Sequence, residues 1–264
     1  MILDAIIKNK KKEIEALKKR KPLPVLKKEV LHLKKKTSCF IRALQKGHEV
    51  SVIAEIKRKS PSRGLLRAEF DPVKLAKSYR DAGARALSVL TDKKFFGGSL
   101  MDLKKVRSAV RLPILRKDFT IHEYQIYESR LAGADAILLI AAVLTSKKIG
   151  DFQRLAQKLG MDVLVEIHTQ AELKKVLPFK PKLIGINNRN LNSFAVDIRA
   201  TEELVKKVPK GSLVVSESGI QKHSQIRFLQ SLGVRSVLVG ESLMNKKDVK
   251  QALLELRGVS RGKG

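Results

Sequence analysis

Four short segments of the chain repeat one pattern: Gly83-Ala-Arg-Ala-Leu-Ser-Val-Leu, Gly133-Ala-Asp-Ala-Ile-Leu-Leu-Ile, Gly160-Met-Asp-Val-Leu-Val-Glu-Ile and Gly233-Val-Arg-Ser-Val-Leu-Val-Gly. Each follows apolar residues at helical spacing, such as Leu75, Tyr79 and Ala82, or Leu155, Ala156 and Leu159. A glycine just past a helix supplies the left-handed position that ends it. The short apolar run behind that glycine reads as a buried parallel strand. The repeating unit is helix, glycine, strand.

Apolar runs of this kind predict eight strands, at Val52–Lys57, Ala86–Thr91, Pro113–Lys117, Ala136–Ile140, Val163–Ile167, Leu183–Asn187, Leu213–Ser218 and Ser236–Gly240. The gaps between them leave room for one helix each, and eight βα units in 264 residues describe a TIM barrel, an α/β fold. A doubly wound open sheet is the rival, but no Gly-x-Gly-x-x-Gly fingerprint follows the first strand. Ile2, Leu3, Ile6, Ile7, Ile14 and Leu17 mark an amphipathic helix ahead of the repeat, ended by Pro22 and Pro24. Further short helical stretches follow to about Leu44. The expectation is one domain over residues 1–264, with a helical extension at 1–48, the barrel at 49–258 and a tail at 259–264. The extension packs on the barrel, because its apolar face is too small to fold alone.

Composition narrows the partners. The formal charge is +29, mostly from lysine runs such as Lys10-Lys11-Lys12 and Lys34-Lys35-Lys36. Trp is absent and other aromatics are few, so stacking platforms for nucleic acid are not expected. A solvated basic surface accounts for the charge without specific nucleic-acid recognition. The N-terminus is apolar first and basic afterwards, the reverse of a secretory signal. The longest apolar run, Ala136 to Leu144, is too short to span a bilayer. The single cysteine, Cys39, fits a reducing cytoplasm. No feature fixes the oligomeric state, and a monomer is compatible with the chain.

Polar residues collect at the C-terminal strand ends, where barrel enzymes place their chemistry. Strand 1 carries Glu55 and Lys57, which a period of two points to the same face. Strand 3 ends in Lys117 and Asp118, strand 5 in Glu166, and strand 6 in Asn187 and Arg189. Strand 7 ends in Ser216, Glu217 and Ser218, and strand 8 in Gly240 and Glu241. Buried charges need partners, so so many on one rim point to a shared cavity. Ser218-Gly219 and Gly240-Glu241-Ser242 each lead toward a helix N-terminus, the usual phosphate cradle of the fold. Ser60 and its neighbours in the loop after strand 1 stand beside that cradle. An anionic phosphate substrate is expected there. No carboxylate and histidine cluster has metal-ligand spacing, and His122 and His168 read as structural or surface residues.

At these positions the sequence resembles the indole-3-glycerol phosphate synthase family. The resemblance rests on Ala54-Glu-Ile-Lys-Arg-Lys-Ser-Pro-Ser, Leu90-Thr-Asp with Phe96-Gly-Gly-Ser, Arg116-Lys-Asp-Phe, Val165-Glu-Ile-His, Ile184-Gly-Ile-Asn-Asn-Arg-Asn-Leu, Ser216-Glu-Ser-Gly-Ile and Val239-Gly-Glu-Ser-Leu-Met. It implies ring closure, decarboxylation and dehydration of 1-(2-carboxyphenylamino)-1-deoxyribulose 5-phosphate to indole-3-glycerol phosphate, with no cofactor or metal. By this resemblance Lys117 is the general acid, its pKa expected to fall beside other cations. Glu166 is the base, and Lys57 is a second acid–base or carboxylate-binding group. Glu55 and Asn187 hold the anilino nitrogen and sugar hydroxyls, and Arg189 shapes the mouth. Ser60, Ser218, Gly219, Gly240 and Glu241 (through its backbone) hold the phosphate. Pro61, Phe119, Leu138 and Leu191 match the family's apolar pocket for the aromatic ring.

Three other readings compete. A related sugar-phosphate isomerase would carry a Cys/Asp or Asp/Asp pair, where strand 1 here has Glu and Lys. A Schiff-base aldolase would place its lysine on strand 6, which ends in Asn187-Asn188-Arg189. A basic nucleic-acid scaffold would leave the buried-type glutamates unexplained.

Overall fold

The structure, a computed structural model, describes residues 2–33, 39–190 and 194–259. Its centre is a closed barrel of eight parallel strands. These are β1 (Ser51–Ile56), β2 (Ala86–Leu90), β3 (Ile114–Lys117), β4 (Ala136–Ile140), β5 (Asp162–Ile167), β6 (Leu183–Asn187), β7 (Leu213–Glu217) and β8 (Ser236–Val239). Each pairs with the next, and β8 closes onto β1 with Ser51 opposite Ser236 and Ala54 opposite Val239. Closure removes both edges of this sheet. The eight expected strands are the eight observed, within a residue at most ends.

The glycines of the sequence repeat do the work assigned to them. Gly83, Gly133, Gly160 and Gly233 all have φ between 75° and 89°, conformations in which a Cβ is strained. Helices α4 (Pro72–Asp81), α5 (Leu100–Ala109), α6 (Glu123–Ala132) and α7 (Ser146–Lys158) alternate with the strands. They are followed by α8 (Gln170–Val176), α9 (Arg199–Val205), α10 (His223–Ser231), α11 (Glu241–Met244) and α12 (Val249–Leu256). Start signals are local: Asp71 accepts from Val73 N and Lys74 N, and Ser99 from Asp102 N. A two-stranded hairpin, Lys59–Ser60 with Gly64–Leu65, stiffens the loop after β1.

The extension preceding the barrel is not one long helix. It is α1 (Ile2–Arg20), α2 (Leu23–Leu31) and the short α3 (Phe40–Leu44). Pro22 caps α2, which breaks the helix where the two prolines stand. Helices α1 and α2 pack against α6. Helix α3 plugs the lower end of the barrel, with Phe40 and Leu44 buried among Ile53, Ala86, Leu115, Ala136 and Leu183. Asp162 at the start of β5 accepts from Ile41 N at 3.0 Å and holds the plug in place. Among the described residues no helix is long and apolar enough to cross a membrane.

One tie between extension and barrel is ionic and buried. Lys10 of α1 places Nζ 3.0 Å from Asp92, 2.9 Å from Asp118 and 2.8 Å from Glu13. Asp118 also takes Thr91 Oγ1 at 2.6 Å and Arg116 at 3.1 Å. Burial works against the Asp118 charge, but Lys10, Arg116 and Thr91 outweigh it and lower its pKa to about 2. Asp118, a strand-end residue, therefore serves the scaffold.

Candidate active site

Above the plug, the mouth of the barrel opens into a cavity of about 1030 Å³. That is the size of a small-molecule site. Its lining includes every residue given a catalytic or binding role from the sequence apart from Leu191, which lies outside the described residues; Ser216, another polar strand end, is buried against Asn188 and Thr201 instead. The cavity joins charged groups as far apart in sequence as Glu55 and Glu241.

The floor is a knot of opposite charges. Lys117 extends Nζ to Glu166 Oε2 at 2.9 Å and Glu217 Oε2 at 3.2 Å. Beside it, Lys57 Nζ meets Glu55 Oε1 at 2.8 Å. Asn187 donates Nδ2 to Glu166 Oε1 at 3.3 Å. All three glutamates are buried.

The expectation that Lys117 loses proton affinity is overturned here. Burial alone would lower its pKa, but Glu166, Glu217 and Glu55 surround it with negative charge and raise it instead. Lys117 faces carboxylates, where the sequence reading placed cations. Glu166 is pulled the other way: burial opposes its charge, yet Lys117, His168 and Asn187 lower its pKa to about 2. Glu217 is pushed up to about 7 by burial, with Glu166 and Glu55 adding to the rise against the pull of Lys117. Its Oε1 is buried without a hydrogen-bond partner, which adds to the cost of ionising the carboxyl.

Two glycines make room for this floor. A Cβ on Gly185 of β6 would collide with the Glu217 carboxylate, and one on Gly240 with the carboxylate of Glu55. Sequence gives Glu217 no role beyond its place at a strand end, and gives Gly185 none. Glu217 was visible as a polar strand end, but only the closed ring brings it onto Lys117.

The rim between β6 and β8 is polar and tightly bent. Ser218 (φ 69°) and Gly219 (φ 81°) are consecutive left-handed residues. Asn187 Oδ1 accepts from Ser218 Oγ at 2.8 Å, and Asn188 Nδ2 donates to the Ser218 carbonyl at 3.0 Å. Helix α11 starts directly after Gly240, whereas α10 starts only at His223. The expected helix terminus therefore adjoins β8 alone, and β7 contributes its bent turn. Glu241 reaches across with its side chain, at 2.9 Å from Arg63 and 3.0 Å from Arg189, besides offering its backbone. Arg189 also donates to Ser62 Oγ at 3.2 Å. The loops after β1, β6 and β8 thus meet at one carboxylate.

The apolar wall holds Phe119 and Leu138 with Leu90, Phe96 and Ile140, and Pro61 stands at the rim. Phe96 and Phe119 lie with ring centroids 6.0 Å apart. Ile2, Leu3 and Ile6 of α1 complete the lining. Their amphipathic spacing marks a packing face, and they also wall the cavity.

Of the two histidines, His122 accepts from Tyr124 N at 3.0 Å and caps α6. His168 is no surface residue: its ring is buried 3.5 Å from Glu166. Among the described residues no group of three His, Cys, Asp or Glu side chains is arranged to hold a metal ion. The arrangement can bind an anion at one side and an apolar ring at the other, with proton donors and acceptors between.

A family model described as Indole-3-glycerol phosphate synthase matches residues 3–256. Curated relatives of that name include a protein of Trichodesmium erythraeum, 47% identical over 262 residues (97% of this chain, 88% of the relative). Another, from Caldanaerobacter subterraneus subsp. tengcongensis, is 46% identical over 261 residues (98% and 100%). Among solved structures, tryptophan synthase subunit alpha from Legionella pneumophila matches with a TM-score of 0.62 and 16% identity, over 84% of this chain and 98% of that one. Thiamine phosphate pyrophosphorylase from Pyrococcus furiosus matches with a TM-score of 0.59 and 16% identity, over 80% and 95%. These two speak for the fold alone.

Proposed function

The chain belongs to the indole-3-glycerol phosphate synthase family, and from that premise we propose how its cup carries out the reaction. The substrate is 1-(2-carboxyphenylamino)-1-deoxyribulose 5-phosphate, and the enzyme is a carbon–carbon lyase that releases CO₂ and then water, acting in the cytoplasm. The observation that carries this reading is Lys117 held between Glu166 and Glu217 at the bottom of one cavity.

The phosphate is held at the Ser218–Gly219 and Gly240–Glu241 side with Ser60, and the aromatic ring lies against Phe119, Leu138 and Pro61. As the ring carbon bearing the carboxylate attacks the ketone, its oxygen gathers negative charge. Lys117, kept as an ammonium by its carboxylates, donates a hydrogen bond to that oxygen and then its proton, once the oxygen has become the stronger base. Loss of CO₂ restores the aromatic ring. The hydroxyl then leaves as water on receiving a proton from the Lys57 ammonium, or from Lys117 once it has taken up a proton again. Glu166 removes the proton that completes the indole. Glu55 and Asn187 keep the anilino nitrogen and sugar hydroxyls in register, while Arg189 sets the charge of the mouth.

Purified protein mixed with the carboxyphenylamino sugar phosphate should develop indole fluorescence. A preparation that folds, binds the substrate and yields none would remove this assignment.

A further inference from the structure

Glu166 has a second basic neighbour that the reaction above does not use. His168 Nε2 lies 3.5 Å from Glu166 Oε1, while Lys117 sits on the other oxygen, Oε2, at 2.9 Å. On the far side of the ring, His168 Nδ1 is 3.3 Å from Glu172 Oε2. The same Glu172 oxygen accepts from the His168 backbone N–H at 2.7 Å, so the start of α8 fixes the residue from two directions. Nε2 is buried and makes no hydrogen bond in the resting site, although it faces a carboxylate. A buried polar atom in that state calls for an explanation.

The proposed chemistry supplies one. Lys117 must turn from Glu166 to the substrate oxygen, and a buried carboxylate that loses its cation is costly. Among the described residues, His168 is the other basic group within 4 Å of Glu166. A shift of well under 1 Å would bring its Nε2–H into hydrogen-bond range. We propose that His168 is a positioning residue for Glu166, taking over its carboxylate when Lys117 turns to the substrate and being held in line by Glu172. The inference rests on Glu166 being the base.

The charged groups facing the ring are Glu166 from β5, Glu172 from α8 and Glu217 from β7, with Lys117 across the Glu166 carboxylate. Burial disfavours imidazolium, but the three carboxylates together raise the His168 pKa. Removing the His168 ring, and with it the Nε2–H that can reach Oε1, should leave Glu166 harder to ionise in the substrate complex.

Two measurements test this. In the folded enzyme, ¹⁵N NMR titration of His168 should show its proton affinity about tenfold lower in Glu166→Gln than in wild type. In kinetics, His168→Gln should move the acid limb of kcat about one pH unit upward. Glu172→Gln, which keeps an oxygen for the backbone N–H, should move it the same way by less. A purely structural role would instead lower kcat equally at every pH and leave the limb in place, which overturns the proposal. So does a His168 titration unaffected by Glu166→Gln. If Glu166→Gln turns over at the wild-type rate, the reading of Glu166 as base fails, and the NMR coupling distinguishes that failure from an absent His168 contact.

Discussion

Lys117 Nζ lies 2.9 Å from Glu166 Oε2, so the cation and the proposed base of the site hold each other before substrate arrives. Replacing Lys117 by Met should lower kcat by about 10²–10⁴-fold, the usual contribution of a general acid. Substrate affinity, measured by equilibrium binding, should change much less. Unaltered turnover would take Lys117 out of the mechanism.

The raised pKa of Glu217 predicts a pH-dependent stability. Its folded pKa of about 7 lies above its ordinary 4.5, so its favourable contribution is complete below about pH 4.5 and disappears as pH rises through 7. Glu217→Gln, which cannot ionise, should therefore gain stability relative to wild type between pH 5 and pH 9. The gain should be on the order of 1–3 kcal/mol in urea melts. A constant difference across that range would assign the proton elsewhere.

Lys10 anchors α1 through two buried aspartates. Lys10→Met would leave both without their shared cation, at a cost of about 3–5 kcal/mol near pH 7. The sign with pH is opposite to that of Glu217. Asp118 is depressed from 3.8 to about 2, so its contribution is present above pH 4 and is lost as pH falls toward 2. The gap in denaturation midpoint between variant and wild type should narrow over that interval. Turnover should fall too, because Asp118 adjoins Lys117 in sequence.

Phe119 forms part of the apolar wall, paired with Phe96. Phe119→Ala should raise KM roughly tenfold with a smaller effect on kcat, as expected for binding energy shared by ground and transition states. A loss confined to kcat would place the ring of the substrate somewhere else.

Much of this architecture could be read from residue order. The barrel strands announce themselves because each is a short apolar run, four of them behind a helix-ending glycine, and the rim residues because charges interrupt those runs. Glu55 and Lys57 show the limit of such reading: their common face follows from strand period, but their 2.8 Å pairing needs the fold. The proton affinity of Lys117 departs from expectation for the same reason, since its surroundings come from β1, β5 and β7 and not from neighbouring residues. Glu217 has no local feature separating it from Ser216 or Ser218. The carboxylate it shares a cation with is 51 residues away in the chain, brought near by barrel closure. Lys10 sits in a lysine run and looks like its solvated neighbours, although it alone of Lys10, Lys11 and Lys12 is buried.

The stopper formed by Phe40 and Leu44 has a consequence for traffic. With the lower end of the barrel filled, whatever enters by the rim must leave by the rim. Under the proposed chemistry the gas and the water released midway share a doorway with the phosphorylated product, beneath loops that Glu241 ties together through Arg63 and Arg189. Departure of the product would then wait on those loops letting go, making the tempo of the enzyme a property of its doorway as much as of its floor.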